Sequence, residues 1–370
     1  MLSLSPTPGN VGAGLARHDV CLFLGRKLMD WFERLTGFRE LDYATTRQNL
    51  DVDGKQLHSL VNGASYGIGE FELASLAALR ERVQRGGGLP GKLQVSVVVG
   101  DVRRLHRVPQ YAGALFQVAS QFNMLEMVSP QVTPEQGVTL YQHDHTQGPG
   151  CAIAAGAATI YRNYFVPVGD GIGQTKDHQL DGLAEIGKSL SESLGQSVES
   201  LWSMQNGYAM CSQGGLSAIA GHLAKLAPGQ TDALRARLRI GIHSDVEVTD
   251  ADDSPRPRVS QAFCSALPVA YSRVPASHWT AFATLVLEAA YEATMWAAVL
   301  NAQRGGSNIV LLTRVGGGVF GNAAEWIDVA MRRALRLAVD CGLDVRFVSH
   351  GSPDPRLVQM ASEFGQASKR

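Results

Sequence analysis

The sequence predicts an α/β fold: a mixed, largely parallel sheet flanked by helices, with an N-terminal helical extension. Three observations predict it. From residue 92 onward, short β-rich apolar runs alternate with longer stretches of helical apolar spacing, the pattern of strands joined by crossover helices. Apolar runs also empty into glycine, most clearly where Ile309-Val310-Leu311-Leu312-Thr313-Arg314-Val315 meets Gly316-Gly317-Gly318-Val319-Phe320-Gly321-Asn322 and a helical stretch, Ala323 to Val339, follows. Finally, 370 residues with 45% hydrophobic and 18% charged side chains and 40 glycines suit a globular chain with many tight loops.

The elements follow in order. Val20 to Leu35 and Glu70 to Gln84 have helical apolar spacing, and the polar stretch between them, Arg39 to Tyr66, reads as irregular with a turn at Asp51-Val52-Asp53-Gly54. Arg85 to Gly91 is glycine-rich and reads as a linker, which divides the chain into an N-terminal helical cap, 1–91, and an α/β domain, 92–370. Within that domain, strands are expected at Leu93 to Val99, Ala114 to Ser120, Leu238 to His243, Val259 to Ala262, Leu267 to Tyr271, 308–315 and Arg346 to Gly351. Helices are expected at Cys151 to Tyr161, Leu180 to Leu194, Gly215 to Leu226 and 277–302.

Composition excludes several classes. A net charge of −1 gives no basic field for nucleic acid or an anionic membrane. The five cysteines, Cys21, Cys151, Cys211, Cys264 and Cys341, have no zinc spacing and read as reduced thiols of a cytoplasmic protein. Met1 to Pro6 lacks the basic and apolar regions of a signal peptide. Trp279 to Leu300 is apolar but carries Glu288 and Glu292, so a core helix is expected rather than a membrane span.

Ligands of such sheets bind outside the carboxyl ends of the strands, and four strand ends carry unusual residues. At Val99-Gly100-Asp101-Val102, Asp101 is placed either to cap a helix or to accept a hydrogen bond from a purine amino group. At Gln121-Phe122-Asn123-Met124-Leu125-Glu126, Asn123 suits a ribose hydroxyl or, alternatively, a turn. Thr133 to Gly150 is a long loop holding Glu135, His143, Asp144 and His145 and ending in Gly148-Pro149-Gly150 before a helix. Its two histidines find no further His or Cys cluster, so no metal is expected. The fourth end is the triple-glycine loop, whose backbone amides and following helix suit a phosphate or diphosphate, with Phe320 either in the core or stacked on a sugar or base. The lysine of a P-loop is absent, which argues against nucleoside triphosphate hydrolysis. Asp245 and Glu247 read as the solvent face of an edge strand.

Together these pieces resemble a macrodomain, the ADP-ribose-binding α/β fold, over roughly residues 92–350. The resemblance implies adenine contact by Asp101 and Val102, ribose orientation by Asn123, a first diphosphate loop at Gly148, Pro149, Gly150 and Cys151, and a second at Gly316, Gly317, Gly318, Val319, Phe320, Gly321 and Asn322. Gln121-Phe122-Asn123-Met124-Leu125-Glu126, Asp144-His145-Thr146-Gln147-Gly148-Pro149 and Tyr161-Arg162-Asn163-Tyr164 resemble the MavL-type branch, which implies removal of mono-ADP-ribose from arginine of a modified protein, ubiquitin among them. No Gln-Glu-Glu triplet follows a glycine run, a departure from the glycohydrolases that act on poly(ADP-ribose).

Hydrolysis of an ADP-ribosyl bond passes through an oxocarbenium-like sugar and calls for nearby carboxylates. Asp144 is the first choice, and Glu126 and Glu135 the second. No cofactor is required, ADP-ribose being ligand and product. The alternative is a non-catalytic module that binds ADP-ribose or an NAD metabolite; a Rossmann oxidoreductase is not supported, since no early Gly-x-Gly-x-x-Gly follows a strand.

Overall fold

Leu115 and Phe116 are neighbours in one strand yet belong to different cores, and this alternation organises the protein. The structure, a computed structural model, describes residues 29–367. Seven strands form the main sheet: β1 (Glu70–Ser75), β2 (Gln94–Val99), β3 (Leu115–Ala119), β4 (Arg239–Glu247), β5 (Arg258–Cys264), β6 (Ile309–Leu312) and β7 (Asp344–Ser349). Their spatial order is β1-β4-β5-β3-β6-β7-β2. The five from β5 to β2 run parallel, and β4 is antiparallel to both its neighbours. The sheet is therefore mixed and largely parallel, as the sequence predicts.

Helix α1 spans Trp31–Thr36, α2 Leu76–Arg85, α3 Gln147–Ala154, α4 Gly156–Tyr164, α5 Ala276–Gln303 and α6 Ala324–Leu337. On one face Leu115, Val310, Leu312, Val345 and Phe347 pack in the core that holds α5 and α6. On the other, Phe116, Val118, Phe263 and Leu311 pack with Cys151, Ala155 and Ala158 of the α3–α4 segment. Small residues there let the two helices lie close to the sheet. By length and composition α5 is apolar enough to cross a membrane, but 78% of its most apolar window is buried inside the protein. That is the core helix the sequence predicts.

A third core joins the N-terminal part to the rest. Trp31, Phe32, Leu35, Leu57 and Tyr66 pack with Leu125, Met127, Val138, Tyr141, Ile153 and Tyr164.

Several elements differ from expectation, each for a tertiary reason. The helix expected from Val20 lies outside the described residues as far as residue 28 and is present as α1, capped by the Asp30 carboxylate. Glu70 to Gln84 is not one helix: residues 70–75 pair with β4 as the sheet edge, and Ser75 then caps α2. The stretch 39–66, expected to be irregular, holds a short helix (Tyr43–Gln48) and strands Leu50–Asp53, Gln56–Ser59 and Ser65–Gly67 in a separate antiparallel sheet. Cys151 to Tyr161 divides at Ala155, where Gly156 N–H donates to the Thr249 hydroxyl at 2.8 Å. The helix expected from Leu180 starts at Ala184. Leu267 to Tyr271 is no strand but ends in a 3₁₀ turn, Val269–Tyr271. Asp245 and Glu247 do not lie on an edge strand; β4 is internal, Asp245 sits at a bulge, and Glu247 accepts from Gly67 N–H at 2.7 Å.

Candidate functional site

The strand ends flagged by the sequence meet at the carboxyl edge of the parallel strands, where two clefts adjoin. The first encloses about 220 Å³ between the ends of β3 and β6, the start of α3 and the glycine loop. The second, about 380 Å³, runs from there to the ends of β2 and β7, past Gly100, Asp101, Val102 and His350. Ala119, Asp144, Thr146, Gln147 and Arg314 line both, so the two form one bent crevice.

The start of α3 is the first wall. Gln147 binds the helix to the sheet: its Oε1 accepts from Ala119 N–H at 2.7 Å and its Nε2 donates to Gln117 O at 2.8 Å. A Cβ on Gly148 would come within 2.1 Å of Ala119 O and 3.0 Å of Glu126 Cγ, so no larger residue fits. First-turn amides such as those of Gln147 and Gly148 have no acceptor within their own helix and are free for an anion. Gly148 and Pro149 line the first cleft and Gly150 the second. Cys151 is fully buried and lines neither; burial raises its thiol well above the ordinary value, which leaves it no role as a nucleophile.

The triple-glycine loop is the facing wall. Gly316 takes φ +77°, and a Cβ there would strike Ala266 Cβ at 2.5 Å. Asn322 does not face the crevice; buried, it holds the loop by donating from Nδ2 to Leu267 O at 2.8 Å and Gly316 O at 3.3 Å. Gly317 and Gly321 spend their amides inside the loop, on Arg314 O and Gly318 O. The amides of Gly318, Val319 and Phe320 make no hydrogen bond to the described residues, and all three residues line the first cleft. Arg314, paired with Asp328 at 2.6 Å, adds positive charge where the clefts meet. Thr313 lines the second cleft, and its buried hydroxyl has no hydrogen-bond partner among the described residues. Phe320 closes an aromatic wall, its ring 5.3 Å from Tyr208 and 5.6 Å from Tyr271 between centroids.

Glu126 occupies the floor. Only 2% exposed, it lines the first cleft, and neither carboxyl oxygen has a hydrogen-bond partner among the described residues. Its nearest cation, Arg162, is 3.8 Å away. Arg162 is held elsewhere, donating to Met124 O at 3.1 Å and to Thr159 Oγ1 at 3.1 Å, with its guanidinium 3.8 Å above the Phe263 ring. Burial therefore dominates over the pull of Arg162 and pushes the Glu126 carboxyl up to about 8. Burial thus favours the protonated form, the form a general acid needs. Its backbone N–H donates to the Tyr141 hydroxyl at 3.0 Å.

Asp144, first choice by sequence, lines both clefts, half-buried, and accepts from Thr146 N–H at 2.8 Å. Asp101 also lines the second cleft, and its Oδ1 caps the helix Val102–His106 by accepting from Arg104 N–H at 3.0 Å. Glu135 and Asn123 are not brought to either cleft. Glu135 accepts from Lys176 N–H at 2.8 Å. Asn123 is fully buried, accepts from Leu125 N–H at 3.1 Å and donates to Gln179 at 2.8 Å, which is the turn role rather than the ribose role. The physical reason is that the chain reverses directly after Asn123, with Met124 at φ +63°, and swings Glu126 into the crevice in its place.

Sequence reasoning missed Gln147, Arg314, Tyr208 and Tyr271. Tyr208 follows Asn206-Gly207 between the paired strands Trp202–Gln205 and Tyr208–Cys211, and that Asn-Gly dipeptide is a hairpin signal. Arg314 stood inside the quoted glycine-loop motif. Gln147 likewise stood inside the quoted Asp144–Pro149 motif, and Tyr271 carries no local signal.

No protein-family description matches the chain, and no curated protein does. Among solved structures, the chain is similar to the poly(ADP-ribose) glycohydrolase of Deinococcus radiodurans in complex with ADP-ribose, at 13% identity and a TM-score of 0.40, over 81% of this chain and 95% of that one. It is also similar to the poly(ADP-ribose) glycohydrolase of Thermomonospora curvata bound to the inhibitor ADP-HPD, at 14% identity and a TM-score of 0.38, over 86% of this chain and 94% of that one.

Proposed function

We propose that this protein is an ADP-ribosyl hydrolase that binds ADP-ribose along the crevice and releases it from a modified protein. The observation that carries the proposal is Glu126, a buried carboxyl on the floor of a cleft walled by two amide-bearing loops, without a hydrogen-bond partner among the described residues and raised by its burial. The start of α3 and the Gly318–Phe320 amides, with Arg314 between them, hold the diphosphate. The adenosine lies toward Asp101 and the distal ribose against Phe320, Tyr208 and Tyr271. Glu126 protonates the departing group as the glycosidic bond breaks, and Asp144 stabilises the cationic sugar and accepts the proton of the attacking water as the new C–O bond forms. Fixing the diphosphate also fixes the anomeric carbon relative to both acids.

Two linkages fit this scheme. Arginine is the linkage implied by the resemblance to the MavL-type branch, with ubiquitin among the modified proteins. A ribosyl-guanidinium, however, already carries its proton and leaves as a neutral base. A serine-linked ADP-ribose instead expels an alkoxide unless the departing oxygen is protonated, and a Glu126 carboxyl raised by burial suits that second linkage.

Arginine-, serine- and glutamate-linked ADP-ribose, offered in parallel, decide the matter. Release from at least one is expected, and Asp144→Asn, whose amide oxygen can still accept from Thr146, should slow it about a hundredfold or more with ADP-ribose affinity unchanged within threefold. Tight binding with all three linkages intact would make the protein a reader of ADP-ribose. Undiminished turnover in the variant would remove Asp144 from the reaction.

A further inference from the structure

Two observations place Glu40, in the N-terminal part and about a hundred residues from the reacting groups, in contact with the loop that carries them. Its carboxylate accepts from Val138 N–H at 2.8 and 2.9 Å, from Thr139 N–H at 2.7 Å and from the Tyr164 hydroxyl at 2.8 Å. Gly137, at φ +82°, lies so close that a Cβ would come within 2.3 Å of that carboxyl, so the loop is shaped around it. Trp31 Nε1 donates to Thr139 O at 3.2 Å beside it.

What Glu40 holds is the start of the 3₁₀ turn Thr139–His143, which has no side-chain cap of its own. An anion at that end is favoured by the exposed amides. Tyr141, at the middle of the turn, contacts both candidate acids. Its hydroxyl accepts from Glu126 N–H at 3.0 Å, and its carbonyl accepts from Asp144 N–H at 3.1 Å. Glu40 thus reaches Glu126 and Asp144 through one rigid turn, and the apolar core around Trp31, Val138 and Tyr141 seals the back of it.

We propose that Glu40 is a positioning residue of the crevice, a distant cap on the Thr139–His143 turn that sets where Glu126 and Asp144 stand and keeps water from the Glu126 carboxyl. The proposal rests on the reading of the crevice as a hydrolase site for its effect on turnover, but not for its effect on Glu126 itself. The hydrogen bonds favour a charged Glu40, burial works against them, and the net effect is a carboxyl raised from its ordinary value. Substitution by glutamine turns one accepting oxygen into a donor facing an amide or hydroxyl and so breaks part of the clamp.

The test compares the full-length protein with Glu40→Gln and Tyr164→Phe, the second removing one donor to Glu40 while leaving the loop amides in place. Carbon-13 NMR of the labelled Glu126 carboxyl, followed over pH, reads its environment whether or not the protein is an enzyme. Glu40→Gln should lower the Glu126 midpoint by about one pH unit or more as water enters, and Tyr164→Phe should move it the same way by less. Amide exchange over residues 137–144 should rise in step, with β3 and β6 unchanged. Where a linkage is hydrolysed, kcat should fall about tenfold with the ADP-ribose Kd within threefold. An unmoved Glu126 midpoint in both variants overturns the proposal, as does lost thermal stability with kcat per folded molecule intact. Absence of hydrolysis by the wild-type protein would count against the hydrolase reading alone, because the NMR midpoint still decides the role of Glu40.

Discussion

Glu126→Gln is expected to cut turnover at least a hundredfold and, at the same time, to make the protein more stable at pH 8. Both effects follow from one property. The carboxyl is desolvated on the floor of the crevice with no hydrogen-bond partner among the described residues, and its folded-state value is pushed up to about 8 from the ordinary 4.5. In the unfolded chain it ionises near the ordinary value. Below that, both states hold the proton and the group does not discriminate between them. Between the two values the unfolded chain sheds its proton while the folded one keeps it, so the contribution of this residue to stability declines as pH rises and is spent once pH passes the folded value. The cumulative loss is on the order of a few kcal/mol. Glutamine keeps the shape and cannot ionise, so its Tm against pH should lack this decline. Wild-type turnover should fall on the alkaline side, above about pH 8, as the acid is lost. A variant no more stable than wild type at pH 8, with an unchanged alkaline limb, would mean that Glu126 is ionised and paired with Arg162, and the proton donor would have to be sought elsewhere.

Gly148→Ala carries the second large effect: loss of measurable ADP-ribose binding, about a hundredfold or more. The methyl would meet Ala119 O at 2.1 Å and Glu126 Cγ at 3.0 Å, both anchored, since Ala119 is the last residue of β3 and Glu126 lies on the buried floor. Relief requires the start of α3 to lift from the sheet, which breaks the Gln147 bridge and turns the free amides away from the crevice. Overpacking of this kind costs about 1–3 kcal/mol in stability as well. Gly318→Ala is the matched control. A Cβ there meets nothing within 4 Å, so Tm should hold. If the diphosphate lies on the Gly318–Phe320 amides, the added methyl should still weaken ADP-ribose about tenfold, or about 1.4 kcal/mol. Calorimetry of the two variants separates a wall that must be glycine to fold from one that must be glycine to bind. Wild-type affinity in Gly148→Ala would remove the start of α3 from the ligand site.

The two glycine walls were legible because their signals are local. A strand emptying into Gly316-Gly317-Gly318, and a loop ending in Gly148-Pro149-Gly150 before a helix, mark in a few residues where backbone free of side-chain bulk lies at the strand ends. Period-two and helical spacing likewise located β2, β3, β6 and β7 and the long α5. The same local signals failed where the partner was distant. Residues 70–75 have helical spacing, yet they complete the sheet by pairing with β4, some 170 residues later. Asn123 and Glu126 lie three residues apart on one turn, and spacing alone could not say which would be swung into the crevice.

The sequence by itself determined the α/β class, the strands whose carboxyl ends meet, and the two loops able to receive an anion, since periodicity and turn chemistry are written in neighbouring residues. Tertiary structure alone decided which of three acids is desolvated. Burial raises the Glu126 carboxyl, Asp144 stays half-exposed at the waist of the crevice, and Glu135 is drawn off to Lys176. Desolvation is a property of everything packed around a group, and no window of sequence contains it.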